Sequence, residues 1–434
     1  MEEGMLAQVR KFGGDQKRFL ASQMITSTYN NLISGVLMTG LLLYIGVRPS
    51  RIGVFLSIPL LANILQLAIG KMWNWFYNYK KMINCIVLAA RFGILSIIGI
   101  PILFRDNGQS VKIWMTAMIL TVSYTFASSA GIHLNLWMVQ TIPAEKQGTF
   151  FAFRDRMVVG VTMLISFGAA YLIDQLKVAN LEYIGFATAF LIASLLAVID
   201  YTILRKISYE RNVEKKERLE WPLYWKVIKE DRRFLRFLIY MLVLSLGMNL
   251  ANPYYNTYML DCLELKYTHI MCLTGFQVCV QIAVSSIWGK IANRIRWSRI
   301  LNVTVFILGV QFFIWAMVTK ESIGLIYVIF ISSGLISTGL VTGQFMIQYE
   351  FIGHQNTMVY LSLCACVTAL GGFSGSLLGS GIISAFADKV YQLGGIGIGS
   401  MQINMIISGS ILLVSVFYAK IVLNRNTERS YYVG

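Results

Sequence analysis

The sequence is poor in what soluble enzymes and nucleic-acid binders use. Only 13% of its 434 residues are charged, 21 are acidic, three are histidine and six are proline. With 56% hydrophobic residues, too little polar surface exists to cover a soluble body. The six cysteines, Cys85, Cys262, Cys272, Cys279, Cys364 and Cys366, sit within or beside apolar runs without metal spacing. That pattern argues against a disulfide framework and against zinc. The chain carries no nucleophile motif, phosphate-binding loop or metal-ligand cluster, so neither an enzyme nor a bound cofactor is expected.

What it has in abundance is continuous apolar sequence. About twelve runs reach the ~20 residues that cross a bilayer as a helix, and their lack of alternation excludes a β-barrel. The expected fold is an all-α integral membrane protein with spans at Phe19 to Ile45, Ile52 to Met72, Met82 to Phe104, Ile113 to Val139, Thr149 to Ile173 and Leu181 to Leu204. A second set follows at Phe234 to Leu260, Thr268 to Ala292, Ile300 to Val318, Ile323 to Ile347, Met358 to Ala385 and Met401 to Val422. The net charge of +16 comes from Lys and Arg placed between the spans and not on one soluble face, which sets topology and does not imply nucleic acid. The bias places both termini in the cytoplasm of a multi-pass plasma-membrane protein, with the first span kept as a signal anchor.

The chain repeats itself. Arg18-Phe19-Leu20 recurs as Arg236-Phe237-Leu238, and in the same register Ser27, Asn31 and Ser34 recur as Ser245, Asn249 and Asn252. The loop from Gly70 through Asn74 to Lys80 and Lys81 recurs as Gly289, Asn293, Arg294 and Arg299. These echoes divide the chain into a cytoplasmic segment 1–18, a six-helix half 19–204, a connector 205–233, a second half 234–422 and a tail 423–434. Within the connector, Trp221 to Ile228 has the pattern of a short amphipathic helix with proline at its start.

Two six-helix halves, the connector, and the Gly70 and Gly289 loops together resemble the major facilitator superfamily over nearly the whole chain. The family loop carries an aspartate where this chain has Asn74 and Asn293, so the resemblance implies a latch without its usual full charge. Ile142 to Gly148, leading into Arg154 and Arg156, is similar to the loop before span five in bacterial members. The two arginines serve either interfacial snorkelling or a gate. Span five has Gly160 and Gly168 but lacks the glycine-proline pair of drug and proton antiporters. The resemblance also implies that spans one, four, seven and ten line a central cavity.

Polar residues repeat on those same spans. Span one offers Asn31, span four Ser129 and His133, and span seven Asn249, Asn252, Asn256 and Tyr255; span eight adds Gln277 and Gln281, and span ten Ser337 and Gln344. Several polar groups on one face of a spanning helix suit a wet cavity better than lipid, although small hydroxyls also glue helices together. Amides carry both donors and acceptors and fit a hydroxyl-rich, amide or zwitterionic solute. Asn249 to Tyr255 is similar, in its asparagine and paired tyrosines, to span seven of sugar facilitators. Pro253 deep in this span removes a donor and is expected to kink or break the helix near Asn249. His133 is either a proton carrier or a satisfied structural residue. Arg91 and Asp200 are expected to form a structural ion pair, and Asp174, Asp261 and Glu350 to be solvated at span ends.

The resulting expectation is a monomeric secondary-active or facilitative transporter of a small polar organic solute working by alternating access, in contact with lipid and coupled to a proton, to sodium or to neither. Its gating set is Gly70, Asn74, Arg154, Arg156, Pro253, Gly289, Asn293 and Arg294. An exporter of amphiphilic compounds and a non-transporting sensor or scaffold with a transporter fold are the alternatives.

Overall fold

The structure, a computed structural model, describes residues 13–69, 79–142, 144–208, 221–292, 294–351, 357–387, 389–393 and 396–423. Among these, ten helices are long and apolar enough to cross a membrane. Two further spans are assembled from shorter pieces. Span one is carried by the helix Gly14–Leu32, whose apolar run begins at Phe19, followed by Gly35–Ile45, and span two is Pro49–Leu56 followed by Ile58–Ile69.

The other spans of the first sequence half are Tyr79–Leu95, continued through Ser96–Gly99 and Ile100–Leu103, then Gln109–Thr141, Ala144–Val178 and Glu182–Arg205. Span seven begins as Arg232–Ala251; spans eight to twelve are Tyr267–Ala292, Trp297–Ala316, Leu325–Phe351, Thr357–Ala385 and Ser400–Tyr418. Each lies where a continuous apolar run predicts it. The connector helix is present at Trp221–Glu230, while a short antiparallel hairpin, β1 (Tyr391–Leu393) with β2 (Ile396–Ile398), stands where no element is expected.

Span one breaks because Gly35 adopts φ +57°, a left-handed conformation that a side chain disfavours. Ser34, the residue before it, takes the N-cap position of the second piece without a side-chain bond to it. In the repeat register Ser34 corresponds to Asn252, where span seven also changes its winding.

The chain forms two compact units. One comprises Met1–Val47, Leu61–Glu214 and Lys266–Met271; the other comprises Arg48–Leu60, Lys215–Leu265 and Cys272–Gly434. The start of span two thus belongs with the second unit and the start of span eight with the first. Arg48 and Lys266, which open these two segments, are also equivalent in the repeat.

In the first unit, one apolar cluster gathers Phe19, Trp137, Phe150, Phe153 and Leu204, with the Phe19 ring edge-on to Trp137 at 5.4 Å. A polar knot lies deep in the same unit. Arg91 Nη1 donates to Asp200 Oδ2 at 2.5 Å, Arg91 Nη2 donates to Thr26 Oγ1 at 2.8 Å, and the Thr26 hydroxyl donates onward to Asp200 at 3.3 Å. Both charges are buried, as a structural pair requires. Asp174 departs from expectation: it is buried, and its carboxylate accepts the first backbone N–H groups of span eight, Tyr267 at 3.0 Å and Thr268 at 2.7 Å. A helix start has unpaired donors and a partial positive charge, so a carboxylate there replaces water as the partner. Glu350 is likewise not simply solvated, since it lies 3.5 Å from Arg296, whereas Asp261 is exposed as expected.

In the second unit, spans seven and eleven approach through small residues. A Cβ at Gly371, Gly375 or Gly379 would fall no more than 2.6 Å from the carbonyl oxygens of Leu242, Leu246 and Leu250. Three glycines four apart therefore form a groove for one backbone against another, the packing that membrane helices use in place of a hydrophobic drive.

Candidate functional site: a polar cavity in the second unit

The cavity starts from a proline. Pro253 cannot donate to the carbonyl of Asn249, and the helix ends at Ala251; a 3-10 turn, Asn252–Tyr254, leads into Tyr255–Thr257 and a widened turn at Tyr258–Cys262. The carbonyls around this break are bonded from neighbouring spans. Ser376 Oγ donates to the Asn249 oxygen at 3.1 Å, Asn404 Nδ2 to Leu250 at 2.7 Å and Ser408 Oγ to Gly247 at 2.5 Å. Met248, just before the break, and Asn252, Tyr255, Asn256 and Met259 of the rewound segment line one cavity.

The opposite walls come from spans eight, nine and ten. Span ten packs closely on span eight, because a Cβ at Gly334 would lie 2.6 Å from the Gln277 carbonyl, and Trp288 Nε1 donates to the Leu335 oxygen at 2.7 Å. Span eight contributes Thr274 and Gln277, and span ten Ser333 and Ser337. From span nine, Trp315 stacks on Tyr255 with ring centroids 5.0 Å apart and planes 15° from parallel. Gln311, also on span nine and 3% exposed, donates through Nε2 to the Ile329 carbonyl at 2.9 Å and to Ser333 Oγ. Its Oε1 has no partner among the described residues.

The cavity, which is half open, has a volume of about 290 Å³. Asn252, Asn256, Gln277 and the Tyr255 hydroxyl line it and make no side-chain hydrogen bond to the described residues, and no charged side chain lines it among those residues. Polar groups at membrane depth cost free energy unless something bonds them. This cavity therefore offers several donors and acceptors to whatever enters it.

Of the residues singled out in the sequence, the structure brings Asn252, Tyr255, Gln277 and Ser337 together here. Gln344 stands next to them, donating to Met248 Sδ at 3.0 Å. Asn249 turns elsewhere: its amide donates to the Ser245 carbonyl at 2.9 Å, on the face that packs against Gly372. Gln281, one turn beyond Gln277, is half-buried and does not line the cavity. Asn31, Ser129 and His133 belong to the first unit, where Asn31 is exposed, Ser129 donates to the Phe126 carbonyl at 2.9 Å and His133 is half-buried. Gln311, Trp315, Met248 and Met259 are among the lining residues that the sequence pattern missed.

Among the residues expected to gate, Gly70, Asn74 and Asn293 and the side chain of Arg156 lie outside the described residues. Arg154 is paired with its neighbour Asp155 at 2.7 Å, and Gly289 sits near the end of span eight with open space beside it. Arg294 follows that helix, its N–H bonded to the Ile291 carbonyl at 2.9 Å.

The membrane helices, the internal repeat and a polar cavity walled by spanning helices define a multi-pass membrane transporter. The chain belongs to the Major Facilitator Superfamily, whose family model matches residues 19–376. Solved structures with the same fold include the nucleoside transporter NupG, 11% identical with a TM-score of 0.67, covering 95% of this chain and 100% of that one. A bacterial homologue of the iron transporter ferroportin in an inward-facing state is 15% identical with a TM-score of 0.67 and coverages of 94% and 98%. A D-xylose-proton symporter is 11% identical with a TM-score of 0.63 and coverages of 93% and 96%. No curated protein sequence matches the chain.

Proposed function

We propose that this protein moves a small polar organic solute across the cytoplasmic membrane by alternating access, as a monomer with both termini inside, and that the cavity of the second unit holds part of its binding site. The observation that carries this reading is the convergence of Asn252, Asn256, Gln277 and the Tyr255 hydroxyl, none with a side-chain hydrogen bond among the described residues, on one cavity walled by spanning helices. The nucleoside and D-xylose carriers that share the fold handle solutes of this kind, and the latter couples transport to protons. His133 is the candidate for proton coupling here, and sodium coupling and uniport are its alternatives.

A second reading, export of amphiphiles, draws on the apolar share of the lining, Met248, Met259, Trp315 and Phe330. A thermal-stability screen of the purified protein against sugars, nucleosides, amino acids, organic anions and hydrophobic cations separates the two, because a ligand that binds the native state raises its melting temperature. The expected result is a rise with one polar class that disappears in an Asn252→Ala, Gln277→Ala double variant. A rise with hydrophobic cations alone, kept in that variant, selects the export reading.

A further inference from the structure

Span seven has a second face, and we propose that its first turns bind the phosphate of an anionic phospholipid through Arg232 and Arg236. The two arginines are four apart on one helix, Arg232–Ala251, and both are exposed. Residues so spaced stand about 5–6 Å apart at Cβ, close enough for two guanidinium forks to share one phosphate. Leu235 and Ile239 lie on the same side and are exposed, which in a spanning helix marks the surface that meets hydrocarbon. At 3.6 residues per turn Met248 falls on nearly the opposite side, so this stripe is separate from the cavity.

The internal repeat supplies the comparison. In its register Arg236 corresponds to Arg18 and Arg232 to Gly14. Arg18 is occupied within the protein: its Nη1 donates to Asp15 Oδ1 at 2.7 Å and, at the end of span six, to the Lys206 carbonyl at 2.9 Å. Arg236 makes no ion pair and donates no side-chain hydrogen bond among the described residues, and neither does Arg232. The end of span twelve is held instead by the Tyr418 hydroxyl, which donates to the Arg236 carbonyl at 3.3 Å and leaves the guanidinium unused. The second unit therefore carries an extra cation at Arg232 and an uncommitted one at Arg236, and the partner that both call for is an anion from outside the chain.

The surroundings suit a lipid more than a free ion. Span twelve, joined to the start of span seven by Tyr418, exposes Val414, Phe417 and Ile421 along one side, a second apolar stripe for acyl chains. Ahead of span seven, the connector helix Trp221–Glu230 leaves Trp225 62% exposed, with Lys229 exposed one turn on. Exposed tryptophan and basic residues at the end of a span match the chemistry of the headgroup layer. Glu230 is the only acid of that helix, and Asp231 is committed to the Phe234 N–H at 2.9 Å and the Tyr360 hydroxyl at 3.2 Å.

The test reconstitutes the full-length protein in vesicles of phosphatidylcholine, alone or mixed with phosphatidylglycerol. It reads the melting temperature and the phosphatidylglycerol retained in native mass spectrometry. Phosphatidylglycerol should raise the melting temperature, because a ligand of the folded state stabilises it. Arg232→Ala with Arg236→Ala should retain the lipid about tenfold or more weakly, the scale of two surface cations. Arg232→Lys with Arg236→Lys keeps the charge, loses the fork and should fall between. A control, Lys320→Ala with Lys389→Ala, removes the same charge from the connections at the other ends of the spans and should match wild type. Should the double alanine variant fold poorly, Arg236→Gln alone is expected to lose about fivefold.

Equal retention by the wild-type and alanine proteins would overturn the site, and an equal loss in the lysine control would overturn it as an effect of net charge alone. The same stabilisation from inorganic phosphate in phosphatidylcholine vesicles would replace the lipid by a free anion. None of these outcomes bears on the cavity, so the transport reading stands or falls separately.

Discussion

Asp174 on span five closes the first turn of span eight, accepting the N–H of Tyr267 with one carboxylate oxygen and that of Thr268 with the other. The contact is reinforced by the Tyr267 hydroxyl, which donates to Glu182 at 3.0 Å, and by Lys177, 3.6 Å from the same carboxylate. Replacing Asp174 by Ala leaves two donors without partners and should cost about 0.5–2 kcal/mol, the range for a lost helix cap. Asp174→Asn keeps one good acceptor and should fall between that variant and wild type. Thermal unfolding in detergent checks the order; equal melting of all three proteins would show that the cap contributes nothing.

The Arg91–Asp200 pair makes a sharper forecast. Removing one partner strands a buried charge and should destabilise by about 3–5 kcal/mol, whereas Arg91→Met together with Asp200→Leu should recover most of the loss. A double variant no better than the worse single one would mean that the pair does more than neutralise itself. Melting and expression level are the measurements.

Pro253 and Ser376 are coupled through a single carbonyl. Ser376 Oγ supplies Asn249 with the hydrogen bond that proline cannot. Ser376→Ala in the native background should therefore cost about 1–3 kcal/mol, the penalty of an unsatisfied buried acceptor. In a Pro253→Ala background the restored N–H takes that role and the cost should shrink, a coupling that a double-mutant cycle measures directly. Pro253→Ala itself should slow uptake more than it harms folding, since the rewound segment is what brings Tyr255 and Asn256 to the cavity.

Stability at acid pH should depend on Asp15, ahead of the apolar run that begins at Phe19. Its carboxylate is held below the usual carboxylate value chiefly by the Ser208 hydroxyl, which outweighs the opposing effect of burial with help from the Ser208 N–H and Arg18. A depressed folded pKa contributes stability that is fully present above the unfolded value of about 3.9 and is lost as pH falls through the folded one. Asp15→Asn should accordingly flatten the fall in melting temperature below about pH 4 and leave the pH dependence in the neutral range unchanged. An unchanged acid limb would remove Asp15 from the account.

The spans were legible because a membrane helix declares itself by length, and the break in span seven because Pro253 has no N–H. The Arg91–Asp200 pair could be read from two rare charges at compatible depths. Asn249 does not share the cavity with Asn252 for a physical reason: a face drawn on a straight helix does not survive a 3-10 turn. Gln311 and Trp315 were missed because span nine is otherwise apolar, although Leu308, Gln311 and Trp315 at steps of three and four mark a common face. The Asp174 cap was not legible at all, since it joins segments far apart in the chain.

The exchange of segments between the units also has a history within each round of synthesis. Ser50, at the start of span two, accepts from the Tyr254 hydroxyl at 3.0 Å, and Tyr254 also meets the Ser376 carbonyl. At about 5–20 residues per second the ribosome reaches Tyr254 roughly 10–40 s after Ser50 has left it. Throughout that interval Arg48–Leu60 lacks Tyr254, whose ring lies against the bare face of Gly53 in the finished fold. Folding of the two units is thus not sequential: the earlier-made one keeps a vacancy for Lys266–Met271, and neither is complete until the chain has passed its midpoint.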